Sequence, residues 1–117
     1  MAYTTARLNS ALDAANSGAA WAQLHTDSPG GAGTSNIATQ SSPAAITGFS
    51  GASSGTDSGT CTFTITGAEG PYRFVSLWTN SGGSPDVFIG SGALTPEETF
   101  AGPGSLEVTI TTTASST

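Results

Sequence analysis

Residues 60–66 read Thr-Cys-Thr-Phe-Thr-Ile-Thr, a strict alternation of hydroxyl and apolar side chains. A period of two is the signature of a strand with one face buried and one face wet. Cys61, Phe63 and Ile65 are therefore expected in a core, with the threonines facing solvent. The same alternation returns near the end of the chain, where Leu106, Val108 and Ile110 interleave with Glu107, Thr109 and Thr111. Between these two strands, residues 72–79 (Tyr-Arg-Phe-Val-Ser-Leu-Trp-Thr) are apolar on both faces, the pattern of a central strand. Phe74 and Trp78 of that stretch are assigned to the core.

The remaining elements fall around these three. Residues 20–25 suggest a first strand, and a Pro/Gly-rich loop follows over residues 26–33. An edge strand is expected near residues 45–49, with Pro43 arguing against a central position. Residues 51–59 read as a Ser/Gly/Asp loop, and residues 80–85 as a turn before a short strand at Val87–Ile89. Gly90-Ser91-Gly92 and Gly102-Pro103-Gly104 read as turns, and Thr95-Pro96 ahead of Glu97 and Glu98 reads as the start of a helical turn.

Before the first strand lies the one good helix candidate. Thr4 or Thr5 can cap it, Leu8, Leu12 and Ala15 fall at i, i+4 and i+7, and Asn16-Ser17-Gly18 offers a stop. About three turns are too few to hold alone in water, so this helix must dock on the domain or on a neighbouring chain. The reading is a mainly β protein: a small antiparallel β-sandwich of about six or seven short strands. A docking helix over residues 1–18 precedes a sandwich over residues 19–113, and residues 114–117 form a frayed tail.

Composition narrows the function. Of 117 residues, 19 Thr, 17 Ser and 16 Gly make up nearly half, while Leu, Ile, Val and Phe total 19. A core so thin is marginal for a lone domain, and support from a partner or from self-assembly is expected. Charged residues are 9% of the chain, the net charge is −6 and lysine is absent. With Arg7 and Arg73 as its only basic side chains, the chain is not expected to bind nucleic acid or an anionic membrane surface. No stretch approaches the 18 apolar residues of a membrane helix, and the N-terminus lacks a signal-peptide pattern. A single cysteine excludes an internal disulfide.

Candidate chemistry is sparse. Any nucleophile–His–acid device would have to use His25, two residues before Asp27, and a lone His beside an Asp ordinarily sits in a turn or at the surface. No nucleophile elbow, dinucleotide fingerprint or P-loop occurs. Asp27, Asp57 and Asp86 fall in expected loops without the spacing of a calcium loop, so they read as Asx-turn formers. Catalytic residues, cofactors and metals are thus not expected. Trp21, Tyr72 and Trp78 could form a sugar-stacking platform, as in a free carbohydrate-binding module, but the simpler reading places Trp78 in the core and Trp21 at the helix–sheet junction. Leu8, Leu12, Ala15 and Trp21 are the docking candidates.

Several short runs, taken together, resemble small virion proteins of actinobacterial tailed phages, a group of head-decoration and tail-fibre-like proteins. They are Leu24-His25-Thr26, Pro29-Gly30 and Gly33, then Val75-Ser76-Leu77-Trp78, then Gly90-Ser91-Gly92-Ala93-Leu94 with Phe100, and a closing threonine-rich strand. Residues 35–59 share little with that pattern beyond polarity, and Gly48-Phe49 stands where it has a tryptophan-bearing strand. The resemblance implies a non-enzymatic structural protein of the virion, made in the host cytoplasm. Its partners would be the major capsid protein or other virion proteins, and its own state a homo-oligomer, dimer or trimer. Head decoration is the first expectation and a tail-fibre or minor tail component, with a host-glycan contact, the second. Long tail fibres carry heptads or collagen-like repeats, which are absent here.

Overall fold

The computed structural model describes residues 19–47, 56–81 and 84–113. Six strands occupy them: β1 (Ala19–His25), β2 (Ala44–Ala45), β3 (Thr56–Ile65), β4 (Glu69–Ser81), β5 (Ser84–Phe100) and β6 (Gly104–Thr113). They form two antiparallel sheets, one in the order β2-β1-β4-β5 and the other pairing β3 with β6. The protein is mainly β, and no helix occurs among the described residues. The expected helix with Leu8, Leu12 and Ala15, the end of the edge strand at Gly48-Phe49 and the tail 114–117 all lie outside them.

Alternation builds the ribbon β3–β6. Along β3 every second residue is buried, from Asp57 through Gly59, Cys61 and Phe63 to Ile65. The register sets Cys61 opposite Val108 and Phe63 opposite Leu106, and directly opposed residues share a face. The apolar row of this ribbon meets Ala22 and Leu24 of β1 and Tyr72 and Val75 of β4. Cys61, Phe63, Ile65 and Val108 are buried in that core, with Leu106 and Ile110 half-buried against it.

The central strand is β4, between β1 and β5. Its two faces serve different cores. Val75 and Leu77 look toward the ribbon, and the pleat sends Phe74, Ser76 and Trp78 to the opposite face. Trp78 is buried as expected of a core residue, but on the outer face against Phe88, ring centroids 5.4 Å apart, whereas Phe74 is corrected to a half-buried position on that same face.

Two further expectations are revised. The loop over residues 51–59 gives way by Thr56, where β3 begins, so Asp57 is a buried strand residue whose carboxylate accepts from the Ser58 N–H at 3.0 Å. The short strand at Val87–Ile89 is part of a 17-residue strand that also contains Gly90-Ser91-Gly92 and Thr95-Pro96-Glu97-Glu98. An edge strand tolerates this composition. Among the described residues it has no neighbouring strand on its outer side to need every N–H, and register shifts along β4–β5 absorb the irregular residues.

Candidate functional site

The segment after β1 does not leave the sheet. It crosses the outer face and returns, with Thr26 N–H donating to the Asn36 carbonyl (3.0 Å) and Ala38 N–H to the Leu24 carbonyl (2.9 Å). Within this flap Pro29 is fully buried, and Gly33, at φ 74°, lies against the Phe88 ring, where any side chain would collide with it. Asn36, at φ 56°, donates its side-chain amide to the Ser28 carbonyl at 2.9 Å and turns the flap back toward β1.

Under the flap lies the only histidine. His25 and Ser76 have no exposed surface, and a hydrogen-bonded chain links them to Trp78. The His25 Nδ1 stands 2.8 Å from the Ser35 carbonyl, which can only accept, so Nδ1 carries the proton. The Nε2 atom is then bare and accepts from the Ser76 hydroxyl at 2.7 Å. The Ser76 Oγ in turn accepts the Trp78 indole N–H at 2.7 Å. Every polar atom of the trio is satisfied in the neutral form, and burial lowers the His25 pKa against the opposing pull of the Ser35 carbonyl.

A serine oxygen 2.7 Å from an imidazole whose far nitrogen is held by an acceptor has the spacing of a nucleophile and its base. Here both groups are sealed from solvent. No substrate carbonyl can approach Ser76 without opening the flap, so the trio acts as a rivet between β1, β4 and the flap. This corrects the expectation that His25 is a turn or surface residue. The signal for it was present in the sequence: Ser76 is a polar residue inside a run apolar on both faces, and such a residue requires a buried partner.

A second clamp sits at the start of β4. The Glu69 carboxylate accepts from the backbone N–H groups of Thr39 (2.9 and 3.1 Å) and Gln40 (2.9 Å) and from the hydroxyls of Thr39 (2.8 Å) and Tyr72 (2.9 Å). Partial burial works against its charge, but these donors outweigh it and hold Glu69 below the usual carboxylate range. Burial, the bond to Glu69 and its charge together push the Tyr72 phenol upward. The sequence assigned Glu69 no role, because Thr39 and Gln40, which supply most of its donors, lie about thirty residues away.

The other singled-out residues do not converge. Tyr72 and Trp78 are buried and Trp21 is half-buried, so the three form no exposed aromatic platform. Burial pushes the Cys61 thiol up to about 11, which leaves it an inert filler. Asp27 accepts from the Ser28 N–H at 2.8 Å, Asp86 is exposed in β5, and no cluster able to hold a metal occurs among the described residues. Glu97 and Glu98 lie on β5 and initiate no helical turn; Glu97 pairs with Arg73 at 3.2 Å on the surface.

What remains open is the far side of the sandwich. Leu94 and Phe100 of β5 pack against the core, but no described residue covers the inner face of β5 around Gly90 and Gly92, and a groove of about 500 Å³ runs there between β5 and β6. Val75, Leu77, Val108 and Ile110 line it, and its floor on β5 is Gly90 and Gly92, where an added Cβ would meet nothing within 4 Å. Comparison with protein-family models, with curated proteins and with solved structures finds no match.

Proposed function

We propose that this chain is a non-enzymatic structural protein of a phage virion that decorates the outer surface of the head. The observation that carries the reading is the outer edge of β5, which pairs with no other strand among the described residues. From Val87 to Thr95 it has no charge and no proline, and it is bracketed by Pro85-Asp86 on one side and Pro96-Glu97-Glu98 on the other. Val87 is 57% exposed and Ile89 37%. Soluble proteins normally blunt such an edge with charge or proline along its length, and a bracketed, uncharged window is suited to pairing with another chain. The partner on this reading is the major capsid protein or another virion protein at this edge, with homo-oligomerisation as a dimer or trimer through other surfaces.

The runs that resemble phage virion proteins support the reading by what they do here. Leu24-His25-Thr26, Pro29 and Gly33 build the flap, and Ser76 and Trp78 build the surface that it covers. They act as fold-specifying residues, as expected of a scaffold. Immunogold electron microscopy of virions with antibody against this chain tests the proposal. Label over the head supports it; label confined to the tail replaces it with a tail component, and unlabelled particles overturn it.

A further inference from the structure

We propose that residues 1–18 dock in the groove between β5 and β6 of their own chain, seating Leu8 and Leu12 over Gly90 and Gly92. The groove requires an apolar occupant. Its walls are Val75, Leu77, Val108 and Ile110, and its glycine floor leaves room for side chains that no described residue supplies. Gly90 and Gly92 oppose Leu77 and Val75 directly, so their absent side chains would have pointed into the groove.

Topology brings the segment to the mouth of this groove. β5 and β6 both leave the connection Ala101–Pro103 and run back beside one another, so the groove's far end lies near Ile89 and Thr113. At that end Ala19 pairs with Thr79, two residues beyond Leu77 on β4. β5 is two strand spacings from β1, about 10 Å. With the helix ending at Ala15, the four steps from Ala15 to Ala19 can span roughly 13 Å when extended, which is enough to cross two strand spacings.

Spacing and charge favour this occupant over a second copy. In the helix that the sequence predicts for this segment, Leu8 and Leu12 stand about 6 Å apart on one face. Gly90 and Gly92 stand about 6.7 Å apart along β5. The stripe is otherwise alanine, which lets a backbone lie close to a glycine floor. The groove lining is uncharged, but seven of the eight acidic residues and only one of the two arginines lie beyond residue 18, so a second copy would bring a net negative domain against another net negative domain. In residues 1–18 Arg7 balances Asp13, and the tether gives them a high effective concentration.

The test uses the full chain with Cys61→Ala and two introduced cysteines, Leu12→Cys with Gly92→Cys, treated with a short bis-maleimide at high dilution. The expected product is crosslinked within one chain, at monomer mass, while a control pair with Gly31→Cys on the opposite face stays unlinked. Crosslinking between chains would overturn the inference in favour of a second copy, and no crosslink would overturn it outright. A double-mutant cycle supplies an independent reading in case the cysteines disturb folding. Gly92→Val should lower the melting temperature by several degrees in the wild-type background and by clearly less with Leu12→Ala. Strictly additive effects, or a Gly92→Val chain that melts higher, would contradict docking.

Discussion

The two faces of the four-stranded sheet are closed in different ways. On the outer face a local flap, residues 26–36, covers β4 and β5 through a fully satisfied polar trio and a glycine pressed on an aromatic ring. On the inner face a distant two-stranded ribbon covers β1, part of β4 and the Leu94–Phe100 end of β5, mainly through apolar packing, and leaves the stretch of β5 around Gly90 and Gly92 open among the described residues. The sealed face commits a histidine and a serine to holding the fold. The unfinished face retains apolar surface for another segment or another molecule. A chain with so few large apolar residues cannot fill both faces, and here hydrogen bonds do on one side what bulk does on the other.

If the sealed face is held as described, breaking its centre has the largest effect. His25→Ala removes a fully buried side chain, deprives the Ser76 hydroxyl of its acceptor and leaves the Ser35 carbonyl without its donor. The expected loss is about 3–4 kcal/mol, read from urea unfolding, enough to unfold a marginal domain. Gly33→Ala should cost about 2–3 kcal/mol, because the new methyl meets the Phe88 ring at a positive φ. The matching methyl on the inner face, Gly90→Ala, meets nothing among the described residues and has at most the docked N-terminal segment to displace, so it should cost clearly less than Gly33→Ala.

The acid response sharpens the same contrast. The folded-state pKa of His25 lies below its usual value of 6.5, so the unfolded chain binds the proton more readily. Stability should be complete above pH 6.5 and fall as pH drops below it, by up to about 1.4 kcal/mol per pH unit, until the folded-state pKa is passed. Glu69 adds a separate loss only below about pH 4.5, since its folded-state pKa is also lowered. Glu69→Gln should cost about 1–2 kcal/mol by setting amide hydrogens against the Thr39 and Gln40 N–H groups. Arg73→Ala should cost under about 0.5 kcal/mol, because its ion pair with Glu97 is exposed.

The contrast also separates what could be read from sequence. The ribbon was legible, because Cys61, Phe63 and Ile65 alternate with threonines and Leu106, Val108 and Ile110 repeat the pattern. β5 was not, because Gly90-Ser91-Gly92 and Thr95-Pro96 carry turn chemistry that an edge strand accommodates without penalty on its free side. The outer face was hidden for a different reason. Ser76 meets His25 only because β1 and β4 are neighbours, and His25 meets Ser35 only because the flap returns; no local period encodes either contact. Phe74 and Trp78 read as core because a strand apolar on both faces does not reveal that its faces serve two separate cores.

The central claim is that His25 and Ser76 are a buried rivet and not a reactive pair. Long-range nitrogen–proton NMR of the His25 imidazole tests it most directly. The expected ring is neutral and protonated on Nδ1, with Nε2 an acceptor, and it stays neutral as the pH falls past 6.5. A ring protonated on Nε2, or one that titrates freely near pH 6.5, would contradict it.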